Sequence, residues 1–328
     1  MAEGCAEGGS VEESRTEIMS RCFLLLVLGS FTWASTIQVQ IRKSEVWLVR
    51  DGTAKQLTSD NKAKSDAILS PAEDLVAYYN ECPVQEHCTP SVVILDLEGQ
   101  KIREFDPTGK AEAAADVGPC ASVSRIWWAK PGSIAAECHI NPSLSEYIET
   151  DVRSGQTTRD LLGYWFSPSP DGKQVAHAGW IPHFAPPFAH SNYLQIDDLT
   201  IYPLPEGTHP EQDELPPYEP ARRGLTYSGI HEFETSPEWS PDMKRIGLID
   251  CSYDWTADST ELTTGTESNR RCWIAVIATT GGFELIPIEG DSSYGVRLQW
   301  IDSQQLALLA NGERKRIVHI PIGQDGTP

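Results

Sequence analysis

The sequence predicts an all-β fold, a β-propeller of four-stranded antiparallel sheets. Three observations carry this. A Ser-Pro turn recurs just ahead of short apolar strands, at Ser169-Pro170-Asp171-Gly172, at Ser240-Pro241-Asp242 and, less completely, at Ser70-Pro71-Ala72-Glu73. Each copy is followed by a further strand pair with a polar or Gly-containing turn. Gly 25 and Pro 23 in 328 residues supply frequent turns between short strands. Four short strands per repeat, at spacings of roughly 40 to 70 residues, is the pattern of propeller blades.

The elements follow in order. Glu45-Val46-Trp47-Leu48-Val49 and Lys55-Gln56-Leu57 form a strand pair around Asp51-Gly52. At Ser70 the chain turns into Leu75-Val76-Ala77. The same stretch also reads as a helix start, with Ser as cap, Pro in the first position and Glu in the first turn. Its register with the copy at Ser169 favours the hairpin. Val92 to Asp96 and Lys101 to Arg103 complete that repeat. The next keeps the frame but loses the letters, Trp128-Ala129-Lys130-Pro131-Gly132, followed by Tyr147 to Asp151 and Gln156 to Thr158. Tyr193 to Asp197 and Thr200 to Tyr202 follow the Ser169 hairpin, and Trp273 to Val276 and Phe283 to Ile286 follow the Ser240 hairpin. Trp300-Ile301-Asp302 opens a last hairpin. Five hairpins plus the leading pair predict six blades if both chain ends contribute separate sheets, and five if they share one; six is the expectation. In the Ser-Pro-Asp-Gly turn Pro presets φ and Gly tolerates positive φ. Trp128, Trp239 and Trp300, with Trp165 nearby, end the strands before the turns and are expected to pack between blades.

The Ser-Pro-Asp-Gly-Lys-x-Val-Ala motif at Ser169 to Ala176 resembles the WD40-like repeat of TolB-type periplasmic β-propellers. The same repeat occurs in the propeller domains of prolyl oligopeptidase and dipeptidyl peptidase families. The resemblance spans about residues 44–322 and is carried most specifically by the copies at Ser169 and Ser240. It implies an exported, non-enzymatic propeller that binds a protein or ligand on one rim.

Charge excludes some partners. Lys+Arg 26 against Asp+Glu 47 gives a net charge of −21. Nucleic acid would be repelled by that field, and anionic lipid likewise. Residues Phe23 to Phe31 form an apolar run after Arg21, followed by Thr32-Trp33-Ala34. This is the pattern of a secretory signal, 1–34, cleaved after Ala34. Met19 begins a cleaner signal, which makes 1–18 an over-long start; 35–328 is then a single propeller domain, periplasmic or secreted. Without Cys5 and Cys22, six cysteines remain, an even number that suits disulfides in an exported chain. Their spacing favours Cys82–Cys88, Cys120–Cys138 and Cys251–Cys272, each within one blade.

Three segments stand out as candidate sites. Between His177 and His190 the chain holds His183, His190, Trp180, Phe184 and Phe188 among three prolines. Aromatic side chains stiffened by Pro make a binding loop, with Trp180, His183, Phe184, Phe188 and His190 as contacts. Its three histidines do not define a metal geometry, and no cofactor is expected. The acidic, Pro-rich stretch 205–236 is the second, ending in Arg222-Arg223 and His231-Glu232-Phe233-Glu234. The third is Ser252 to Arg271, where Asp254, Asp258 and Glu261 form an irregular Ca²⁺-like ladder. No Gly-x-Ser-x-Gly elbow, P-loop or His-Glu-x-x-His occurs in the sequence. No catalytic residue is expected. The alternative to a binding propeller is a propeller-type lyase or hydrolase with a polar or metal site at a central channel.

Overall fold

The computed structural model describes residues 37–81, 90–107, 122–141, 144–179, 193–202, 223–258, 265–288 and 295–320. The chain divides into Met1–Ser35 and Thr36–Pro328, and every described residue falls in the second unit. The signal segment 1–34, the loop contacts Trp180, His183, Phe184, Phe188 and His190, and Cys82, Cys88 and Cys120 lie outside the described residues.

The described residues are all-β, in consecutive antiparallel meanders. The first sheet holds β1 (Ile37–Arg42), β2 (Glu45–Arg50) and β3 (Thr53–Gln56). The second holds β4 (Lys64–Leu69), β5 (Leu75–Asn80), β6 (Ser91–Asp96) and β7 (Lys101–Phe105). β8 (Ser122–Lys130), β9 (Ser133–Asn141), β10 (Leu144–Asp151) and β11 (Thr157–Pro168) make the third. The fourth shares β11 and adds β12 (Val175–Ala178), β13 (Leu194–Ile196) and β14 (Leu199–Thr200). In the fifth, β15 (Thr226–Phe233) and β16 (Glu238–Trp239) both pair with β17 (Arg245–Ala257), followed by β18 (Gly265–Ala278) and β19 (Phe283–Pro287). The last holds β20 (Val296–Asp302), β21 (Gln305–Ala310) and β22 (Glu313–His319).

Strand composition follows from burial on both faces. On β5 and β6, Ala77, Tyr79, Val92 and Ile94 pack toward the third sheet, while Val76, Tyr78, Val93 and Leu95 pack toward the first. Alternate residues point to opposite faces, so a strand sandwiched between two sheets reads as a continuous apolar run. Five apolar clusters arise this way, each between two consecutive sheets. The smallest surrounds Tyr147, fully buried 5.5 Å from Phe166 and 5.6 Å from Trp127 between ring centroids.

The Ser-Pro turns share one hydrogen-bond pattern. Ser70, Ser169 and Ser240 are all buried, and each backbone carbonyl accepts from the amide three residues on (Glu73, Gly172, Met243) at 2.8–2.9 Å. Each Ser hydroxyl donates to a carboxylate of its own turn (Asp74, Asp171, Asp242) and accepts from the amide opening the next strand or the residue before it. The Ser169 hydroxyl and the Lys173 amide hold the Asp171 carboxyl down at about 2. The left-handed position is Gly172 in one copy but Glu73 and Met243 in the others, with φ of 55° and 60°. That tolerance explains why the motif loses its glycine and keeps its serine. At Ser70 the turn leads directly into β5, so the helical reading of that stretch does not hold; the Ser caps a hairpin.

Three local expectations are corrected. β1, before the leading pair, carries no repeat signal and still forms. The strands ending one repeat and opening the next at 157–168 are one strand, β11. Its residues up to Gly163 pair with β10 and those from Tyr164 with β12. A Cβ at Gly163 would sit 2.4 Å from both the Ala178 carbonyl and the His177 ring, so only glycine passes there. Third, the stretch 205–236 reads as one long loop, but His231 to Phe233 at its end are strand, in β15; most of Ser252 to Arg271 is strand too, in β17 and β18.

The Trp expectation holds. Trp239 Nε1 donates to the Ser167 carbonyl and Trp300 Nε1 to the Glu238 carbonyl, both at 2.8 Å. Each indole reaches back to the preceding sheet, Trp239 to β11 and Trp300 to β16. Trp239→Phe keeps a ring in the cluster but removes one inter-sheet hydrogen bond. It is expected to lower stability by about 1–2 kcal/mol in urea unfolding, with m unchanged; a loss under about 0.3 kcal/mol would contradict the latch.

Cys251 and Cys272 are bridged, directly opposite each other on β17 and β18 with Cα atoms 4.1 Å apart. Cys138 is also disulfide-bonded, to a cysteine outside the described residues. Disulfides mark an oxidising compartment. Among the described residues no helix is long and apolar enough to cross a membrane.

Candidate functional site

Polar and titratable groups gather on the first strand of the fifth sheet. β15 alternates, so His231 and Phe233 face one way and Glu232 and Glu234 the other. On one side, Phe233 and Tyr202 are buried with ring centroids 6.0 Å apart. Tyr202 Oη donates to Asp250 Oδ2 at 2.8 Å, and His231 Nδ1 lies 3.1 Å from the same oxygen. Asp250 is fully buried on β17. A carboxylate only accepts, so His231 carries its proton on Nδ1 and leaves Nε2 for a ligand or a proton. The hydrogen bond to Asp250 raises the His231 pKa, against a smaller opposing effect of burial. Burial raises the Tyr202 pKa, and the Asp250 charge adds to it.

On the other side, Arg270 on β18 collects acids. It pairs with Glu234, with Glu267 at 2.8 Å and with Glu232 at 4.0 Å, and lies 5.3 Å from the centroid of the Tyr253 ring. Burial, with the Glu232 charge second, raises the Glu267 pKa. Next to this set the first strands of the fourth, fifth and sixth sheets line a cavity of about 350 Å³, with Trp165, Glu234, Glu238 and Arg297 on its wall. Burial raises the Glu238 pKa, offset in part by Arg297.

The aromatic loop attaches at the same strand ends. Its flanking residues, Gly179 after β12 and Tyr193 before β13, are tied by the Gly179 amide donating to the Tyr193 carbonyl at 2.7 Å. Burial raises the Tyr193 hydroxyl to about 12. Tyr164, across from Ala178, is raised by burial and then by the charge of Glu232. His177, by contrast, is a core residue: fully buried, stacked on Phe166 and bonded through Nε2 to the Asp197 carbonyl at 2.9 Å. Burial lowers its pKa.

Sequence reasoning singled out His231 only as part of an acidic stretch. Nothing in the spacing of 19 and 48 residues joins His231 and Tyr202 to Asp250. The one available signal was Asp250 itself, a charge inside the apolar run Ile246 to Cys251. In the proposed Ca²⁺ ladder, Asp254 accepts from Asn269 and Asp258 from Thr266 across the hairpin; Glu261 lies outside the described residues. Among the described residues no group of three or more His, Cys, Asp or Glu is arranged to hold a metal ion.

No family model matches the chain, and no curated protein matches it. Among solved structures it is similar to TolB from Acinetobacter baumannii at 13% identity and TM-score 0.32, covering 84% of this chain and 61% of that one. It is similar to the β-propeller domain of the Trilobed protease from Pyrococcus furiosus, at 12% identity and TM-score 0.38, covering 88% and 82%. A puromycin-hydrolysing peptidase of Mycobacterium tuberculosis gives 13% identity and TM-score 0.32, covering 84% and 48%. These neighbours are propeller proteins. They include TolB beside a protease and a peptidase, and at these identities the likeness says nothing about activity. The meander topology above carries the fold.

Proposed function

We propose that this chain is an exported, TolB-like β-propeller, its six sheets closed into a ring, that binds an envelope or extracellular protein, or a small ligand, on one rim without catalysis. Trp180, His183, Phe184, Phe188 and His190 are its contact residues. The supporting observation is the position of Gly179 and Tyr193. They root the aromatic loop beside Tyr164 and Glu232, at strand ends that also carry His231 and Arg270. Propeller sheets use their apolar residues on one another, and in this reading the three aromatics outside the repeat register serve a partner instead. Trp180→Ala and Phe184→Ala are expected to leave the thermal midpoint within a few degrees. Binding of the partner recovered from native envelope by the wild type should weaken by about 1–2 kcal/mol or more. A midpoint drop of about 8 °C or more in either variant would mark the loop as core and remove the site.

A second reading rests on one geometric fact. A half-exposed imidazole held by a buried carboxylate is the arrangement of a general base, which fits the lyase or hydrolase alternative. His231→Gln separates the two, because it abolishes turnover of any substrate while sparing partner binding through the loop.

A further inference from the structure

The second and third sheets enclose a cleft of about 640 Å³ at their turn ends, away from the strand ends that carry the aromatic loop. Small-ligand sites span about 300–1,000 Å³. Leu75, Ile102 and Val152 give it apolar walls, and Trp128, Arg103 and Arg153 add polar ones.

The repeat shows what is unusual here. Trp239 and Trp300 each donate to the carbonyl two residues before a turn position of the preceding sheet, Ser167 before Ser169 and Glu238 before Ser240. For Trp128 the matching carbonyl is that of Ile68, two before Ser70. That bond is not made: Trp128 Nε1 is buried and has no acceptor among the described residues. The two first strands are tied instead by Asp66, whose carboxylate accepts from the Ile126 amide. Asp66 sits at the bulge that shifts β4 against β5, with φ of 52°. On the other wall, Arg103 Nη2 donates to the Arg153 carbonyl at 2.5 Å, which holds the guanidinium in place, while Arg103 Nε has no acceptor among the described residues. The cleft's own carboxylates are engaged in turns. Asp74 accepts from Ser70, and Asp151 accepts from both the amide and the hydroxyl of Ser154. Two buried N–H donors without an acceptor among the described residues, one of them on a cationic side chain, therefore belong to residues that line this cleft, in a protein of net charge −21.

We propose that this cleft binds a small carboxylate with an aliphatic body, its oxygens accepting from Trp128 Nε1 and Arg103 and its body lying on Leu75, Ile102 and Val152. Such a group occurs on a free fatty acid or at the C-terminus of an apolar peptide. Calorimetric titration with octanoate and with N-acetyl-leucyl-leucine, each beside its own amide, tests it. At least one acid should bind about 10-fold or more tightly than its amide, because charge-assisted bonds to an anion are the stronger ones. The tighter acid identifies the source. Trp128→Phe keeps a ring on the Ile126 and Ile134 cluster, and Arg103→Gln keeps most of the side chain; each should weaken the acid about 5-fold or more with an unchanged melting curve. The proposal is overturned if neither acid binds at millimolar concentration, if acid and amide bind alike, or if either variant binds the acid as the wild type does.

Discussion

Replacing Asp250 with alanine is expected to lower the unfolding free energy by about 3 kcal/mol, because it strands a buried hydroxyl and removes the counter-charge of a histidine at once. Tyr202 is buried and its hydroxyl donates to Asp250; no solvent is at hand to replace that acceptor. His231 is half-exposed and can turn to water, so it contributes the smaller share. Asp250→Asn separates the two effects. The amide oxygen still accepts from Tyr202, but the charge facing His231 is gone. In the wild type the hydrogen bond to the Asp250 carboxylate, with its charge adding, raises the His231 pKa above its unfolded value, so the stabilisation is complete below about pH 6.5 and is lost as pH rises through the raised folded value. Urea unfolding at pH 6 and pH 9 checks this. The wild type should lose stability relative to Asp250→Asn between the two. Parallel pH profiles would show that His231 is not coupled to Asp250 in solution.

Removing the Cys251–Cys272 bridge as the Ala/Ala double variant is expected to cost about 3 kcal/mol, the chain-entropy value for a closed loop of this size. The bridge spans 21 residues and joins directly opposed positions of β17 and β18. Below it those strands are packed against the last sheet through Ile249, Ile274 and Leu306. Beyond it they continue as the hairpin that carries Tyr253 and Arg270. The midpoint should fall by roughly 5–10 °C. Trypsin should cut first at Arg270 and Arg271 once the bridge is gone, because local opening of the hairpin no longer stops at the staple. A variant that melts within about 1 °C of the wild type would show that strand pairing alone holds the hairpin.

The Ser-Pro turns were legible because turn chemistry is local. Ser70, Ser169 and Ser240 bond only to residues within five positions, so the letters contain the whole structure of the turn. The same holds for the paired strands around them, whose apolar runs reflect burial on both faces. The Cys251–Cys272 pair was legible for a related reason: a hairpin with its tip midway between two cysteines sets them opposite each other. β11 was read as two strands because the repeat frame breaks at its middle. The letters there encode both halves correctly, and only the pairing on each side shows one strand serving two sheets.

The sequence by itself therefore determined the unit, a turn-and-strand meander in an oxidised, acidic chain, and the residues that seal one sheet to the next. The tertiary structure alone decided what those units bring together. Tyr202, His231 and Asp250 meet because the end of the fourth sheet lies on the first strand of the fifth, a contact that no spacing records. Trp128 carries the same motif position as Trp239 and Trp300, yet its N–H has no acceptor among the described residues, and the strand it faces on another sheet is bulged at Asp66. Hydrogen bonds within a turn are fixed by the few residues that make it. Those between sheets depend on the registry of surfaces far apart in the chain, and that registry exists only once both surfaces have folded.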